Sequence, residues 1–238
     1  WEDIDSSLHA EASSSRIVTG DCGTFAASFS TGRRAGRLVS LSNREFSLSW
    51  SLSGDGERMV SSSPVLAASS SSVMQARAKI SDSITGKPVS DSETFALRGA
   101  TGSVGYSALF ADAPEISAEY TVYRNKIEED IYINSPTDLR SLRMEFDTAG
   151  LTAEVRDDGS VEFLDENGEM RFRIGIPYME DAANEILTDI HVNAEQNGDS
   201  CTVTYTPDEE WLSSSERSYP ILFDPSVTTD EYNSNIVD

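Results

Sequence analysis

Residues Leu151–Gly175 read LTAEVRDDGSVEFLDENGEMRFRIG, three short alternating runs separated by two turn signals. Asp158-Gly159 and Asn167-Gly168 are dipeptides whose residues tolerate positive φ, as two-residue hairpin turns require if the turn is to follow the right-handed twist of its strands. Each dipeptide therefore predicts a hairpin. Val161 and Phe163 alternate with Ser160 and Glu162, while Met170, Phe172 and Ile174 alternate with Glu169, Arg171 and Arg173. A period of two sends one set of side chains to a core face and the other to water. Leu151, Ala153 and Val155 begin the same pattern one strand earlier, so the stretch predicts a three-stranded antiparallel meander. Nothing in it is chemistry.

The same period extends in both directions. Upstream, TFAASFS, GRLVSLS and REFSLSWSLS succeed one another, with Phe46, Leu48, Trp50 and Leu52 at two-residue spacing and only serines between them. That arrangement suits a sheet with one face wet or covered by another layer. ISAEYTVYRN and KIEEDIYINS predict two further strands joined at Asn125-Lys126. The second is expected to set Ile127, Asp130 and Tyr132 on the face opposite Ile131 and Ile133, and so to lie at the centre of a packed sandwich. Leu139, Leu142, Met144 and Phe146 predict another strand. The Ser-rich stretch 53–74 and residues 80–93 read as long polar connections. Thr206-Pro207-Asp208-Glu209 carries a helix start, with Thr206 as cap and Pro207 at the first helical position, and the short helix is expected to dock through Trp211 and Leu212. Tyr219, Ile221 and Phe223 then share one face of a last extended segment, with Pro220 suited to an edge or a strand start.

These readings predict an all-β chain of antiparallel β-sandwich architecture, one large or two packed sandwiches, with one short helix near the C-terminus. The expected organisation is a loose lead-in over 1–15, a first β-sandwich part over 16–134, a second β part with the meander and helix over 135–226, and a linker or next module beginning at 227–238. The expected core includes Phe46, Leu48, Trp50, Val161, Phe163, Phe172 and Ile174.

Composition excludes more than it selects. Lys and Arg number 18 against 41 Asp and Glu, a net charge of −23 over 238 residues, which repels a phosphate backbone and an anionic membrane surface. Nucleic acid and membrane insertion are therefore not expected. Cys22 and Cys201 sit in no CxxC or Cys/His cluster, so no zinc site is expected, and their pairing depends on whether the fold joins the two ends. His9 and His191 are the only histidines. A Ser-His-Asp arrangement needs one of them beside a buried acid, whereas His191 alternates with Ile190 and Val192 as a sheet residue. The turns DDGS and DENGE supply oxygens for calcium but lack EF-hand spacing, and hairpins need the same residues with no ion. The sequence thus predicts no catalytic, cofactor-binding or metal residue, and no enzyme.

A resemblance adds context. The run EEWLSSSERSYPILFDPSV, Glu209 to Val227, resembles the W-L-x-x-x-x-R-x-Y-P-V-x-I-D-P-x-V ending of the N-terminal regions of large secreted RHS/YD-repeat and DNRLRE-domain proteins of Gram-positive bacteria. FSLSWSLSG, the stretch Ser103–Pro136, the stretch Asp157–Glu185 and the tail NSNIVD fall in the same order as in that family. Ile221 and Phe223 depart from its commoner Val and Ile. The resemblance implies a secreted or cell-wall-associated N-terminal module serving as scaffold or adhesion surface. Its implied partners are downstream repeat modules of the same chain and a glycan or surface protein. The alternative is a carbohydrate-binding or carbohydrate-active β-sandwich, with Trp1, Tyr106, Tyr178 or Tyr232 as binding aromatics.

Overall fold

The computed structural model describes residues 8–10, 16–19, 25–30, 37–43, 45–54, 57–58, 65–67, 102–107, 109–110, 113–123 and 126–229. Most of the Ser-rich stretch, residues 80–93, Trp1, Cys22 and the tail from 230 lie outside this set, as do the expectations attached to them. Within it the chain is two packed antiparallel sheets and one short helix, as the period-two runs require.

The first sheet runs in chain order through β1 (Leu8–Ala10), β2 (Arg16–Thr19), β3 (Phe25–Ser30), β4 (Val39–Asn43) and β5 (Phe46–Gly54), with β6 (Glu57–Arg58) on the end of β5. It then crosses to β11 (Leu142–Asp147), β18 (Ser200–Pro207) and β17 (Ile190–Asn197). The second sheet begins with β7 (Val65–Ala67), β8 (Gly102–Tyr106), β9 (Ile116–Val122) and β10 (Lys126–Ile133). Beyond β10 lie β19 (Ile221–Asp224) and β20 (Val227–Thr229). β19 leads to β15 (Tyr178–Glu180) and β16 (Ile186–Leu187), and β20 to the meander of β14 (Met170–Ile174), β13 (Val161–Leu164) and β12 (Thr152–Val155). Both sheets draw strands from 16–134 and from 135–226.

The register along β10 shows how the sheet is joined. Ile131 faces Phe223 and Ile127 faces Val227, which is one continuous antiparallel register. β19 and β20 therefore follow one line, interrupted at Asp224-Pro225-Ser226. Pro225 has no N–H to give to the ladder, and the N–H of Glu129 donates to the Ser226 hydroxyl at 3.3 Å. Residues 221–229 are thus an interior seam and not an edge, and Pro220 stands at its start.

The expected core is buried where the spacing put it. Leu48, Trp50, Val161, Phe163, Phe172 and Ile174 are fully enclosed, and Phe46 is half-buried beneath the Arg171 guanidinium at 4.7 Å. Aromatic pairs stitch the sheets together, Phe146 to Phe163 at 5.0 Å and Tyr205 to Phe223 at 5.2 Å between ring centroids. Such pairs add to simple area burial.

Three local expectations are corrected. The meander turns are three-residue loops: Arg156 N–H donates to Ser160 O, Gly159 N–H donates to Arg156 O, and the second hairpin repeats the pattern at Asp165, Gly168 and Glu169. Gly159 and Gly168 take φ of +83° and +78°, while Asp158 and Asn167 stay out of that region. The glycine alone absorbs the left-handed step, as in a type I turn closed by a bulge. The acids instead lock the loops, Asp158 accepting from Ser160 N–H and Asp165 from Asn167 and Glu169 N–H. The helix, α1 (Glu209–Ser213), is capped by Asp208, whose side chain accepts from Trp211 N–H at 2.7 Å. Thr206 and Pro207 remain in β18, since the ladder to β17 holds them to its end. Finally, Ile127 points inward with Ile131 and Ile133, as two-residue parity demands, and the inward position between them belongs to Glu129.

Candidate functional site

β10 carries acids on both faces. Ile127, Glu129, Ile131 and Ile133 face the sandwich interior, while Glu128, Asp130 and Tyr132 face outward. Glu129 is fully enclosed. It accepts from Trp50 Nε1 at 3.1 Å on one oxygen and from the Tyr120 hydroxyl at 2.7 Å on the other. Burial is the largest influence on its carboxyl and outweighs these two hydrogen bonds; with Asp224 and Asp130 adding like charge, it is pushed up to about 8. Tyr120 is raised by the same burial and by Glu129. Tyr205, also fully buried and raised by burial and by Glu129, keeps a hydroxyl with no hydrogen-bond partner.

On the outer face, the register carries Asp224 of β19 across from Asp130. Glu128, Asp130 and Asp224 each present a carboxylate oxygen within 4.8 Å of the others, the one such group of possible metal ligands among the described residues. Asp224 is oriented by Ser226, whose N–H and hydroxyl both donate to Oδ1, and Oδ2 accepts from Tyr178 at 3.3 Å. Glu128 accepts from the Tyr123 hydroxyl at 2.8 Å, and Lys126 lies over the Tyr123 ring. Burial raises the Asp224 carboxyl first, with Glu128 the charge that adds most, and the Tyr178 hydroxyl is raised by burial and then by Asp224 and Asp130. Across from Glu128 on the other side stands Thr121, fully buried, its Oγ1 without a partner.

The residues weighed from sequence fall elsewhere. His191 is an exposed residue of β17, and the side chain of His9 lies outside the described set. Cys201 is buried as a free thiol, which burial pushes up to about 11. Tyr106 is buried and donates to Ser30 O, and Tyr178 is half-buried against Asp224, so neither offers an open face to a sugar. Of the DDGS and DENGE acids, Asp158, Asp165 and Glu169 are taken up by their turns and by Arg173 and Arg171. Trp211 is half-buried with the Arg217 guanidinium 4.5 Å above its ring, and Arg217 reaches the enclosed Asp181 carboxylate at 3.1 Å. The Trp-Leu and Arg of the closing motif thus form a structural clasp. Sequence reasoning missed Glu129 and Asp224 because their surroundings come from distant strands. The signals available were an acid at an inward parity position and the Asp-Pro pair at 224–225.

No family model matches the chain. It is 28% identical over 122 residues, 48% of its length, to the tRNA nuclease WapA of Bacillus subtilis strain 168. The same identity and coverage hold for the tRNA(Glu)-specific nuclease WapA of Bacillus subtilis subsp. natto and the tRNA3(Ser)-specific nuclease WapA of Bacillus spizizenii. The match spans 5% of the length of each of these relatives. This distant match over part of the chain agrees in part with the resemblance carried by the motifs. The expectation of no enzyme is corrected by these names, because all three relatives are nucleases. That expectation rested on the absence of a reactive cluster in the sequence, whereas the named activity belongs to relatives of which the match spans 5%.

Proposed function

We propose that this chain is a β-sandwich module of a large cell-surface protein with tRNA nuclease activity, and that it serves that protein as scaffold or adhesion surface. The observation that carries the reading is the 28% identity to WapA over a segment that is 5% of those proteins. The fold supports it. Two sheets enclose one aromatic-rich core, and the family's closing residues Trp211, Arg217 and Tyr219 to Pro225 build a clasp and an interior seam. A net charge of −23 repels tRNA, so the module's partners in this reading are the neighbouring modules and a wall glycan or surface protein.

Antibody against residues 126–229, applied to fractions of the producing cell, should detect the protein in the wall fraction, and the full-length protein should cleave tRNA. Detection in the cytosol alone would overturn the surface assignment. Full-length protein that leaves tRNA intact would overturn the nuclease assignment. Tight, salt-resistant binding of tRNA by the isolated 238-residue chain would overturn the scaffold role.

A further inference from the structure

We propose that Glu128, Asp130, Asp224 and Thr121 form a calcium site on the outer face of the second sheet, at the interruption between β19 and β20. Like charges placed directly across two strands are destabilising, yet the register sets Asp224 against Asp130 with Glu128 beside them. Ser226 and Tyr178 then hold Asp224 in this position with donated hydrogen bonds, where a cluster formed by accident would splay apart. A divalent cation is what such a held group is suited to receive.

Thr121 is a second and independent observation. It is fully buried, its Oγ1 has no hydrogen-bond partner, and it faces the same side of the sheet directly across from Glu128. A buried hydroxyl left without a partner is costly, and as a neutral oxygen donor it completes a carboxylate set. The donors are all oxygen, which selects a hard cation over zinc or copper. The three carboxylate oxygens lie within 4.8 Å of one another, a separation that two ligands on one Ca²⁺ can span at ~2.4 Å each. One glutamate and two aspartates at three points of two strands suit the irregular coordination that calcium accepts.

The test uses the whole 238-residue chain freed of divalent ions with EGTA, then titrated calorimetrically with Ca²⁺ and separately with Mg²⁺. One equivalent of Ca²⁺ is expected to bind and to raise Tm, with Mg²⁺ at least tenfold weaker. Tb³⁺ should show luminescence sensitised by Tyr178, displaced by Ca²⁺. Asp224→Asn should weaken Ca²⁺ binding at least tenfold and Thr121→Val severalfold, while Asp158→Asn and Asp165→Asn in the turns should leave it unchanged. Circular dichroism establishes that each variant is folded. A wild-type chain that binds no Ca²⁺ overturns the proposal, as does Ca²⁺ binding that survives Asp224→Asn and Thr121→Val intact or is lost with the turn acids.

Discussion

The meander β12–β14 and the strand β10 are written in the same alternating residues, yet their acids meet different fates. In the meander five carboxylates find an arginine within the same hairpins: Glu154 and Glu162 on Arg156, Asp165 and Glu169 on Arg171, Asp158 on Arg173. Asp158 is lowered chiefly by the Ser160 hydroxyl and Asp165 chiefly by Arg171. Along β10, Glu129 is enclosed; Tyr120 reaches its carboxylate from the adjacent strand 9 positions away, but Trp50 comes from 79 positions away and Ser226, which takes its N–H, from 97. A hairpin can balance its own charge. A central strand has its acids balanced, or left unbalanced, by whatever the topology sets beside it.

pH should separate the two regions most strongly. The Glu129 carboxyl lies near 8 in the fold against an ordinary 4.5, so the folded state binds its proton more tightly. Its stabilising contribution is complete below pH 4.5 and is lost as pH rises through 8, on the order of 5 kcal/mol if the group remains enclosed. Asp224, raised by burial, acts in the same direction. The meander acids act in reverse: lowered in the fold, they contribute above their ordinary value and lose that contribution as pH falls. Urea midpoints measured from pH 4.5 to 9 should decline, and Glu129→Gln should flatten most of the slope. An unchanged slope in that variant would show the drop to have another source.

Next in size, Phe172→Ala in the fully apolar interior of the meander should cost about 3–5 kcal/mol with no change in pH dependence. Trp50→Phe at the centre should cost less, about 1–3 kcal/mol, since most of the ring volume stays and one hydrogen bond to Glu129 goes. The sharper mark of Trp50→Phe is a rise in the Glu129 titration midpoint, because a donor favouring the charged form is removed. Smallest of all, Arg156→Ala and Glu162→Ala should leave Tm within about 2 °C of the parent, since exposed ion pairs contribute little and are screened by salt. A shift of many degrees from either would erase the contrast between the regions.

Much of the architecture was legible in local pattern. Period-two spacing identified β5, β13 and β14 with their inward residues, because alternation encodes which side of a strand is dry; on β12 it named the strand, but Val155 lies exposed. Hairpins were legible from their glycines, although the hydrogen bonds that set loop length placed the positive φ on Gly159 and Gly168 alone. The short helix was legible within two residues, and its cap passed to Asp208 because the β17 ladder kept Thr206 and Pro207 in the strand. Only the tertiary structure decided that residues 221–229 form an interior seam along β10, that Glu129 lies inside with Trp50 and Tyr120, and that Asp224 meets Asp130 and Glu128. Strand neighbours are chosen by long-range packing among many alternating segments of similar character, and a period of two names the face but not the partner.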